Sequence, residues 1–321
     1  MINVLIVPAG SGMAIAAIQA LKKTKDIRIV TADSNKLSPG LHLSQKGYLI
    51  PLFKEPNFYN SLFNIIDKEK IDVVIPAYDT ILHEFSEKNE EFEKHGTKLL
   101  LSSPEAISAT RDKWITYQKL KDQVSFPISF IQKEDIDIDY PLHIKPRDGS
   151  GSINTFKIEN EEELDFYLKK VPNPIIQEFL PGKEYTVDCL ANNKGELMVN
   201  IARERIETKA GISTKGLIVN NNKINEIAKT ISQLIKFYGP FFFQVKEDKF
   251  GNPKVMEINP RISGTMSLSS YSGVNIHELA IRQCMNQHFT IPEIKYGIYI
   301  SRYLQDLYFD EKDFNIQKEG Q

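Results

Sequence analysis

The first hundred residues alternate between short apolar runs and longer segments in which apolar positions recur with helical spacing. The runs predict four strands, at residues 3–7, 27–32, 73–76 and 98–101. The longer segments predict helices at residues 15–23, 59–69 and 80–94. Because strands that alternate with helices usually pair in parallel, we expect an α/β domain over residues 1–110, with helices on both faces of a parallel sheet.

The pattern changes after residue 110, where the predicted strands become short. They fall at residues 126–132, 142–145, 155–157 and 174–180, with one predicted helix that begins near Thr110 and another at residues 161–169. We expect these elements to form a separate small lobe over residues 111–185. Longer strands return in a third region, residues 186–321, which also contains a predicted helix at residues 275–285.

Residues 241–261 predict a β-hairpin, because two alternating segments flank a Gly-Asn-Pro turn. With the loop centred on residues 250 and 251, strand pairing sets Gln244 opposite Glu257, and the two-residue period brings Asn259 to the same face. The opposite face is expected to be apolar and carries Phe243, Val245, Met256 and Ile258. One carboxylate and two amides can bind Mg²⁺ together with a nucleotide phosphate, although a merely solvated face is the alternative.

A glycine-rich stretch has the composition of a phosphate-binding loop. A predicted strand ends at Lys145 and runs into a loop that contains Gly149 and Gly151. Glycines let backbone N–H groups approach phosphate oxygens, and the lysine adds a positive charge. The stretch is not a Walker A motif, because no Gly-Lys-Ser/Thr follows the glycines, and a flexible turn is the alternative interpretation.

The next stretch, residues 175–188, combines an apolar strand with the carboxylates of Glu178 and Glu184. An apolar wall with polar groups at its edge can hold an adenine ring, while a second carboxylate binds ribose hydroxyls. The alternative is a strand end with two solvated glutamates.

Several charged residues are candidates for contacts with an acceptor substrate. Arg203 and Arg205 share strand parity ahead of a basic loop, and Arg205 and Lys215 are candidates for binding a substrate carboxylate. Arg261 follows the hairpin, where its guanidinium could hold a phosphoryl group in transfer. Asp79 follows a strand of the first sheet and could bind a substrate amine, but we favour an N-cap role for it.

The overall composition argues against several classes of function. Forty basic and 42 acidic residues give a formal charge of −2, which does not favour nucleic acid or an anionic membrane as a partner. Cys189 and Cys284 lack the spacing of a disulfide framework or a zinc site. No apolar run has the length of a membrane span and the first residues lack the basic start of a secretory signal, so we expect a cytoplasmic protein. The turn at residues 10–12 lacks the third glycine of an NAD fingerprint.

Taken together, these stretches resemble the ATP-grasp superfamily, most closely its carbamoyl-phosphate-synthase-like and carboxylate–amine ligase branch. The resemblance covers nearly the whole chain, from a Rossmann-like N-terminal domain to the motif Met-Glu-Ile-Asn-Pro-Arg at residues 256–261. It implies an ATP-grasp fold in which the small lobe acts as a mobile lid. It also implies that the cofactors are ATP and Mg²⁺, with two ions bound and with Mn²⁺ as a substitute.

The resemblance implies a role for each candidate residue. The nucleotide phosphates would contact Lys113, Lys145, Gly149, Ser150, Gly151 and Ser152. The adenine and ribose would contact Gln177, Glu178, Leu180 and Glu184. The metal ligands would be Gln244, Glu257 and Asn259, and the catalytic residues would be Arg261, Arg205 and Lys215.

The chemistry of this family is phosphorylation of a carboxylate by ATP, followed by attack of an amine. We therefore expect a ligase that acts on a small-molecule carboxylate and amine and releases ADP and phosphate, with a homodimer left open. Because the chain has one of the two ATP-binding halves of a carbamoyl phosphate synthase, a single-half enzyme that forms carboxyl or carbamoyl phosphate is an alternative. A non-catalytic nucleotide-binding regulator is another.

Overall fold

The computed structural model describes residues 1–149, 151, 153–310 and 316–318, which form three β-sheets with helices packed against them. The first sheet has six parallel strands, β1 (Ile2–Val7), β2 (Ile27–Asp33), β3 (Lys46–Leu49), β4 (Val73–Pro76), β5 (Lys98–Leu99) and β16 (Ile316–Lys318). Their order in the sheet is β16-β3-β2-β1-β4-β5. The helices of this region are α1 (Gly12–Leu21), α2 (Pro39–Leu43), α3 (Phe58–Glu69), α4 (Asp79–Glu87) and α5 (Asn89–Lys94). The predicted parallel N-terminal sheet is confirmed.

Three details of this region differ from the prediction. The predicted helix at residues 80–94 is two helices, because the backbone leaves helical geometry at Lys88 (φ −93°, ψ 12°). Tyr78, and not Asp79, occupies the N-cap of α4, so the predicted capping role of Asp79 is wrong. Strand β3 was not predicted, because four residues that include Gly47 show too little apolar alternation.

Two apolar clusters cover the faces of the first sheet, because successive side chains of β1 point to opposite sides. Leu5 and Val7 belong to one cluster, which α3 and α4 cover. Val4 and Ile6 belong to the other cluster, which also contains Phe242 and other residues of the third sheet. The core is therefore continuous between the first and third sheets.

The second sheet is small and antiparallel. Its strands are β6 (Ser129–Phe130), β7 (Leu142–Pro146), β8 (Phe156–Ile158) and β9 (Pro174–Glu178), in the order β6-β9-β7-β8. The helices α6 (Pro104–Arg111) and α7 (Lys113–Leu120) precede it, and a 3-10 helix (Lys133–Asp135) and α8 (Glu161–Leu168) lie within its span. The strand predicted at residues 126–132 is only two residues long, and Pro127 within the predicted span has no N–H to donate.

The third sheet is antiparallel and has six strands. They are β10 (Glu184–Ala191), β11 (Leu197–Lys209), β12 (Ile212–Val219), β13 (Gly239–Glu247), β14 (Pro253–Asn259) and β15 (Tyr299–Ser301). Their order is β14-β13-β10-β11-β12-β15. The remaining helices are α9 (Asn222–Ile235), a 3-10 helix (Met266–Ser272) and α10 (Ile276–Cys284). Residues of α9 pack on one face of the sheet with Val187, Phe243 and Val255.

The three sheets correspond to the three predicted regions, but the C-terminal strand β16 returns to pair with β3 of the first sheet. The boundaries 1–110, 111–185 and 186–321 stay predictions. Cys189 and Cys284 are both buried and unpaired with each other. Within the described residues, no helix is both long and apolar enough to cross a membrane.

Candidate nucleotide and metal site

The hairpin of β13 and β14 has the predicted register at its polar face. Gln244 lies opposite Glu257, and the Asn259 side-chain amide donates to Glu257 Oε1 at 3.2 Å. All three side chains are half-buried. The structure therefore brings the three predicted metal ligands together on one face.

The apolar face of the hairpin differs from the prediction at one residue. The register shifts after Gln244, so that Val245 pairs with Val255 and Met256 is an extra residue in β14. This β-bulge leaves Met256 half-buried. Val255 takes the core position that was predicted for Met256. The carbonyl oxygen of Met256 is an acceptor for a lysine of the second sheet.

That lysine is Lys145 of β7, whose Nζ donates to Met256 O at 3.1 Å. Lys145 is 7% exposed. Burial, and then the nearby charge of Lys113, lower the pKa of Lys145 to about 7, although Glu257 and Glu184 act in the opposite direction. The second sheet thus places a buried lysine with a lowered pKa close to the hairpin face that carries the candidate metal ligands.

Lys113 and the glycine-rich loop also lie together. Lys113 Nζ donates to Gly149 O at 2.9 Å and to Arg147 O at 3.3 Å. Gly149 has φ 127°, a conformation that favours glycine, and Gly151 is exposed. The predicted contacts Ser150 and Ser152 lie outside the described residues.

The predicted adenine residues lie at the end of β9. Glu178 forms an ion pair with Lys254 at 2.6 Å and accepts from the Ile128 N–H at 3.2 Å. Gln177 is buried and donates to Ser129 Oγ at 2.8 Å, and Leu180 is also buried. Glu178 thereby links the second sheet to β14, one of the two strands of the hairpin that carries the candidate metal ligands.

The polar face of the hairpin continues across the third sheet. Gln244 lies opposite Thr186, and Thr186 lies opposite Arg203. The row formed by Glu257, Gln244, Thr186 and Arg203 crosses four strands, and we call this side of the sheet the polar face. Strand parity therefore connects the candidate metal ligands to the candidate acceptor residues.

Arg203 and Asp188 form a buried ion pair on the polar face. Arg203 Nε lies 2.7 Å from Asp188 Oδ2, and the two residues are 1% and 0% exposed. Asp188 also accepts from Ser263 Oγ at 3.0 Å and from Ser269 Oγ. Arg203 additionally donates to Thr265 Oγ1 at 2.8 Å, so the segment after the hairpin is part of this network.

Arg205 lies beside Arg203 on the polar face, and its guanidinium is paired with Glu184. The Arg205 Nε and Glu184 Oε1 atoms are 2.7 Å apart, and the Arg205 side chain is 6% exposed. Arg205 also donates to Thr186 Oγ1 at 3.1 Å and to Gly211 O at 2.9 Å. The structure thus joins the predicted ribose residue to a predicted acceptor residue.

The other two predicted catalytic residues are held differently. Arg261 Nη2 donates to Asp79 Oδ2 at 2.8 Å and its Nε donates to Asp79 Oδ1, so a residue of the first sheet region holds it in a bidentate pair. Lys215 is 55% exposed and lies 2.6 Å from Glu207. Because Gly216 pairs with Arg205, the neighbouring Lys215 points to the opposite side of the sheet, and the structure does not place it with the others.

Sequence reasoning missed His143 and gave Asp188 no role. His143 is on β7 with the same parity as Lys145, and burial, followed by the charges of Lys145 and Lys246, lowers its pKa to about 3. Asp188 shares parity with Glu184 on β10. Strand parity on the predicted strands is the signal that could have found both residues.

Four of the predicted phosphate and metal residues border one cavity of about 290 Å³. Its lining includes Lys113, Gly149, Glu257 and Asn259, together with Tyr78 to Thr80 of the first region. A larger groove of about 660 Å³ lies elsewhere, lined by Lys98, Ser102 and Tyr238 among others. The smaller cavity is the candidate site, because the described lining of the larger groove includes none of the predicted site residues.

The fold and this site together have the arrangement of the ATP-grasp superfamily, and two family models each match a part of the chain. The family described as "ATP-grasp in the biosynthetic pathway with Ter operon" matches residues 170–305. The family described as "PylC-like, N-terminal domain" matches residues 4–100. The predicted resemblance to the ATP-grasp superfamily is confirmed.

Curated relatives agree with this class. The D-alanine–D-alanine ligase of Petrotoga mobilis is 27% identical in an alignment 214 residues long, which covers 57% of this chain and 70% of the ligase. The arginine-specific carbamoyl phosphate synthase large chain of Bacillus subtilis is 26% identical over 72% of this chain. The present chain spans only 24% of that synthase.

Solved structures show the same fold at low sequence identity. The biotin carboxylase domain of 2-oxoglutarate carboxylase from Hydrogenobacter thermophilus, in complex with MgADP, ADP and bicarbonate, has a TM-score of 0.73 and 16% identity over 92% of this chain and 73% of that one. N5-carboxyaminoimidazole synthetase from Staphylococcus aureus, in complex with ADP, has a TM-score of 0.72 and 19% identity over 92% of this chain and 80% of that one. These likenesses confirm the predicted ATP-grasp fold.

Proposed function

We propose that this chain is an ATP-dependent carboxylate–amine ligase that forms an acyl phosphate and releases ADP and phosphate. The observation that carries the proposal is the shared cavity in which Lys113, Gly149, Glu257 and Asn259 meet. Lys113 and Gly149 are suited to binding phosphate, and Glu257 and Asn259 are suited to binding a divalent cation. The relatives that act as ligases, and the neighbours that bind ADP, support the same assignment.

The donor set of the hairpin suits Mg²⁺. It offers one carboxylate, Glu257, and the amide oxygens of Asn259 and Gln244, all half-buried on one face. Hard oxygen ligands of this kind leave coordination positions for water and phosphate oxygens. These residues would hold two Mg²⁺ ions, or Mn²⁺ in their place, and the bound ions would offset charge on the phosphates of ATP. The described ranges contain no group of three or more His, Cys, Asp or Glu side chains that could hold a metal.

The protein residues have positioning and electrostatic tasks in the proposed reaction. A carboxylate oxygen of the substrate attacks the γ-phosphorus of ATP, the bond to the ADP oxygen breaks, and ADP leaves. Lys145 and Lys113 would bind phosphate oxygens, and Arg261 would stabilise the transferring phosphoryl group. The amine then attacks the acyl carbon, phosphate leaves with the C–O bonding electrons, and the amine loses a proton.

The second sheet has a further proposed task, as a lid that closes over the nucleotide. Lys145 lies on β7, and Gly149 lies in the loop that follows this strand. Closure would exclude water, which would otherwise hydrolyse the acyl phosphate. Small-molecule acids and amines are the proposed partners, with a second copy of this chain as a further candidate, and the cytoplasm is the proposed compartment.

A second candidate is a single-half enzyme that forms carboxyl or carbamoyl phosphate. The observation in its favour is the match of a Clostridium botulinum carbamoyl phosphate synthase large chain, 26% identical over 88% of this chain, of which the chain spans 28%. Bicarbonate in place of an organic acid would distinguish it, because ADP release would then depend on bicarbonate. A regulator without catalysis would bind nucleotide and release no product with any acid and amine.

The test is nucleotide product analysis with a panel of amino acids, dipeptides and sugar acids, each with an amine. We expect ADP and phosphate as products. AMP and pyrophosphate would instead indicate that the intermediate is an acyl adenylate and not an acyl phosphate. Glu257→Gln should lower the rate by roughly 100- to 1000-fold with the fold intact, because a metal ligand is lost. Glu226→Gln, on the exposed side of α9, removes the same charge and should leave the rate unchanged. Near-normal turnover of Glu257→Gln would contradict the metal role.

A further inference from the structure

Arg302 follows β15 directly and has no task in the reaction proposed above. Its backbone N–H donates to Thr214 O at 2.8 Å, which extends the pairing of β15 with β12. Gly216 lies opposite both Arg205 and Ile300. Because side chains alternate, Arg302, two residues after Ile300, lies on the polar face with Arg205.

The three arginines of the polar face differ in their counter-ions. Arg203 is paired with Asp188, and Arg205 is paired with Glu184. Among the described residues, Arg302 has no ion-pair partner, and its buried Nη1 atom has no hydrogen-bond acceptor. The arginine end of the polar face therefore carries one positive charge that no neighbouring carboxylate neutralises.

Arg302 is also close enough to Arg203 for their charges to interact. Burial, followed by the positive charge of Arg203, lowers the pKa of Arg302. Two guanidinium groups near one another, one of them with a buried unbonded N–H, are unfavourable unless an acceptor completes the arrangement. A carboxylate suits this position, because its two oxygens match the planar fork of an arginine.

The position of this end of the face indicates which carboxylate it would hold. Strand β15 lies four strands away from β13, which carries Gln244. At the usual strand spacing, this is about 19 Å between the two backbones. Arg302 therefore follows a strand at the opposite edge of the sheet from the hairpin, which favours a bound group other than the one that reacts.

We propose that Arg302 binds a second, non-reacting carboxylate of the acid substrate and thereby determines its specificity. The inference rests on the proposed ligase function and makes it more specific. It predicts that the acid is an elongated molecule with two carboxylates, one at the metal end of the polar face and one at the arginine end.

The first test uses acetate as a probe and does not require the substrate. The Nε–Hε resonances of arginine-labelled protein would be followed by NMR during titration with sodium acetate, with sodium chloride at equal ionic strength as the reference. We expect the Arg302 resonance, assigned by its loss in Arg302→Gln, to shift saturably with acetate only. In Arg302→Gln, acetate affinity read at Arg205 should fall about tenfold, and the charge-matched control Lys295→Gln should bind as wild type.

The second test separates this inference from the ligase proposal. Calorimetric titration with ADP and Mg²⁺ should give the same affinity for wild type and Arg302→Gln. Arg302→Lys replaces Arg302→Gln in both tests if the glutamine variant does not fold. With an accepted dicarboxylic acid, Arg302→Gln should raise the KM for the acid about tenfold and leave the KM for ATP unchanged. An Arg302 resonance that responds equally to chloride, or not at all, overturns the carboxylate site. Failure of wild type to bind ADP overturns the ligase proposal and leaves the acetate result standing.

Discussion

The two ends of the polar face differ in how their side chains are held. The metal end carries the candidate ligands Gln244, Glu257 and Asn259, which are all half-buried. Among the described contacts, the carboxylate of Glu257 has one hydrogen-bond donor there, the amide of Asn259 at 3.2 Å. At the arginine end, Asp188 is fully buried and accepts from Arg203, Ser263 and Ser269. The oxygens at the first end are available to a ligand, whereas those at the second are already used to orient an arginine. One sheet thus carries a candidate site whose oxygens have few partners and a second cluster whose oxygens are already hydrogen-bonded.

The largest expected effect on stability concerns the arginine end. Asp188→Asn should lower the free energy of unfolding by about 3–5 kcal/mol, because it leaves the charge of Arg203 buried without a partner. Urea denaturation followed by circular dichroism would measure it. Glu207→Gln breaks an exposed pair of the same sheet and should leave the midpoint nearly unchanged. An Asp188→Asn protein as stable as wild type would show that the two ends are not held differently.

Arg261 belongs to the metal end but is held like a residue of the arginine end, and this exception allows a sharper test. Asp79→Asn should lower kcat by roughly 10- to 100-fold, because the guanidinium loses the carboxylate that orients it. The KM for ATP should stay within about twofold, since Asp79 positions Arg261 and does not bind the nucleotide base. Steady-state kinetics would measure both, with the exposed Asp122→Asn as the control. An increase in KM with unchanged kcat would assign Asp79 to substrate binding.

The smallest expected effect is the uptake of a proton by Lys145 when nucleotide binds. Because the pKa of Lys145 is about 7 in the free protein, the amine is mostly neutral at pH 8. Bound phosphate favours the charged form and raises this pKa, so nucleotide binding should take up close to one proton per ADP at pH 8 and much less at pH 6. Affinity should accordingly weaken as pH rises above 7. Calorimetry in buffers of different ionisation enthalpy would measure the uptake, which should disappear in Lys145→Met.

The sequence was sufficient to predict the parts of the site that lie within one hairpin. Alternation of side chains sets which residues of a strand share a face, so the pairing of Gln244 with Glu257 followed from the loop position. The same reasoning failed one residue further on, because a bulge at Met256 does not interrupt the apolar pattern. That bulge leaves a carbonyl available to Lys145, a contact between residues 111 positions apart.

Contacts between distant segments account for most of what the sequence did not predict. Asp79 was expected to cap its own helix, yet its carboxylate binds Arg261, 182 residues away. Glu184 was assigned to ribose and Arg205 to an acceptor, yet the two form an ion pair across neighbouring strands. Local propensity carries no information about such partners, because charge pairing depends on how the sheets are brought together.

The central claim is that Gln244, Glu257 and Asn259 bind a divalent cation together with a nucleotide. Calorimetric ADP titrations with and without Mg²⁺ test it most directly, in wild type and in Glu257→Gln. We predict that Mg²⁺ tightens ADP binding at least about tenfold in wild type and changes it little in the variant. Equal tightening by Mg²⁺ in both proteins would contradict the claim.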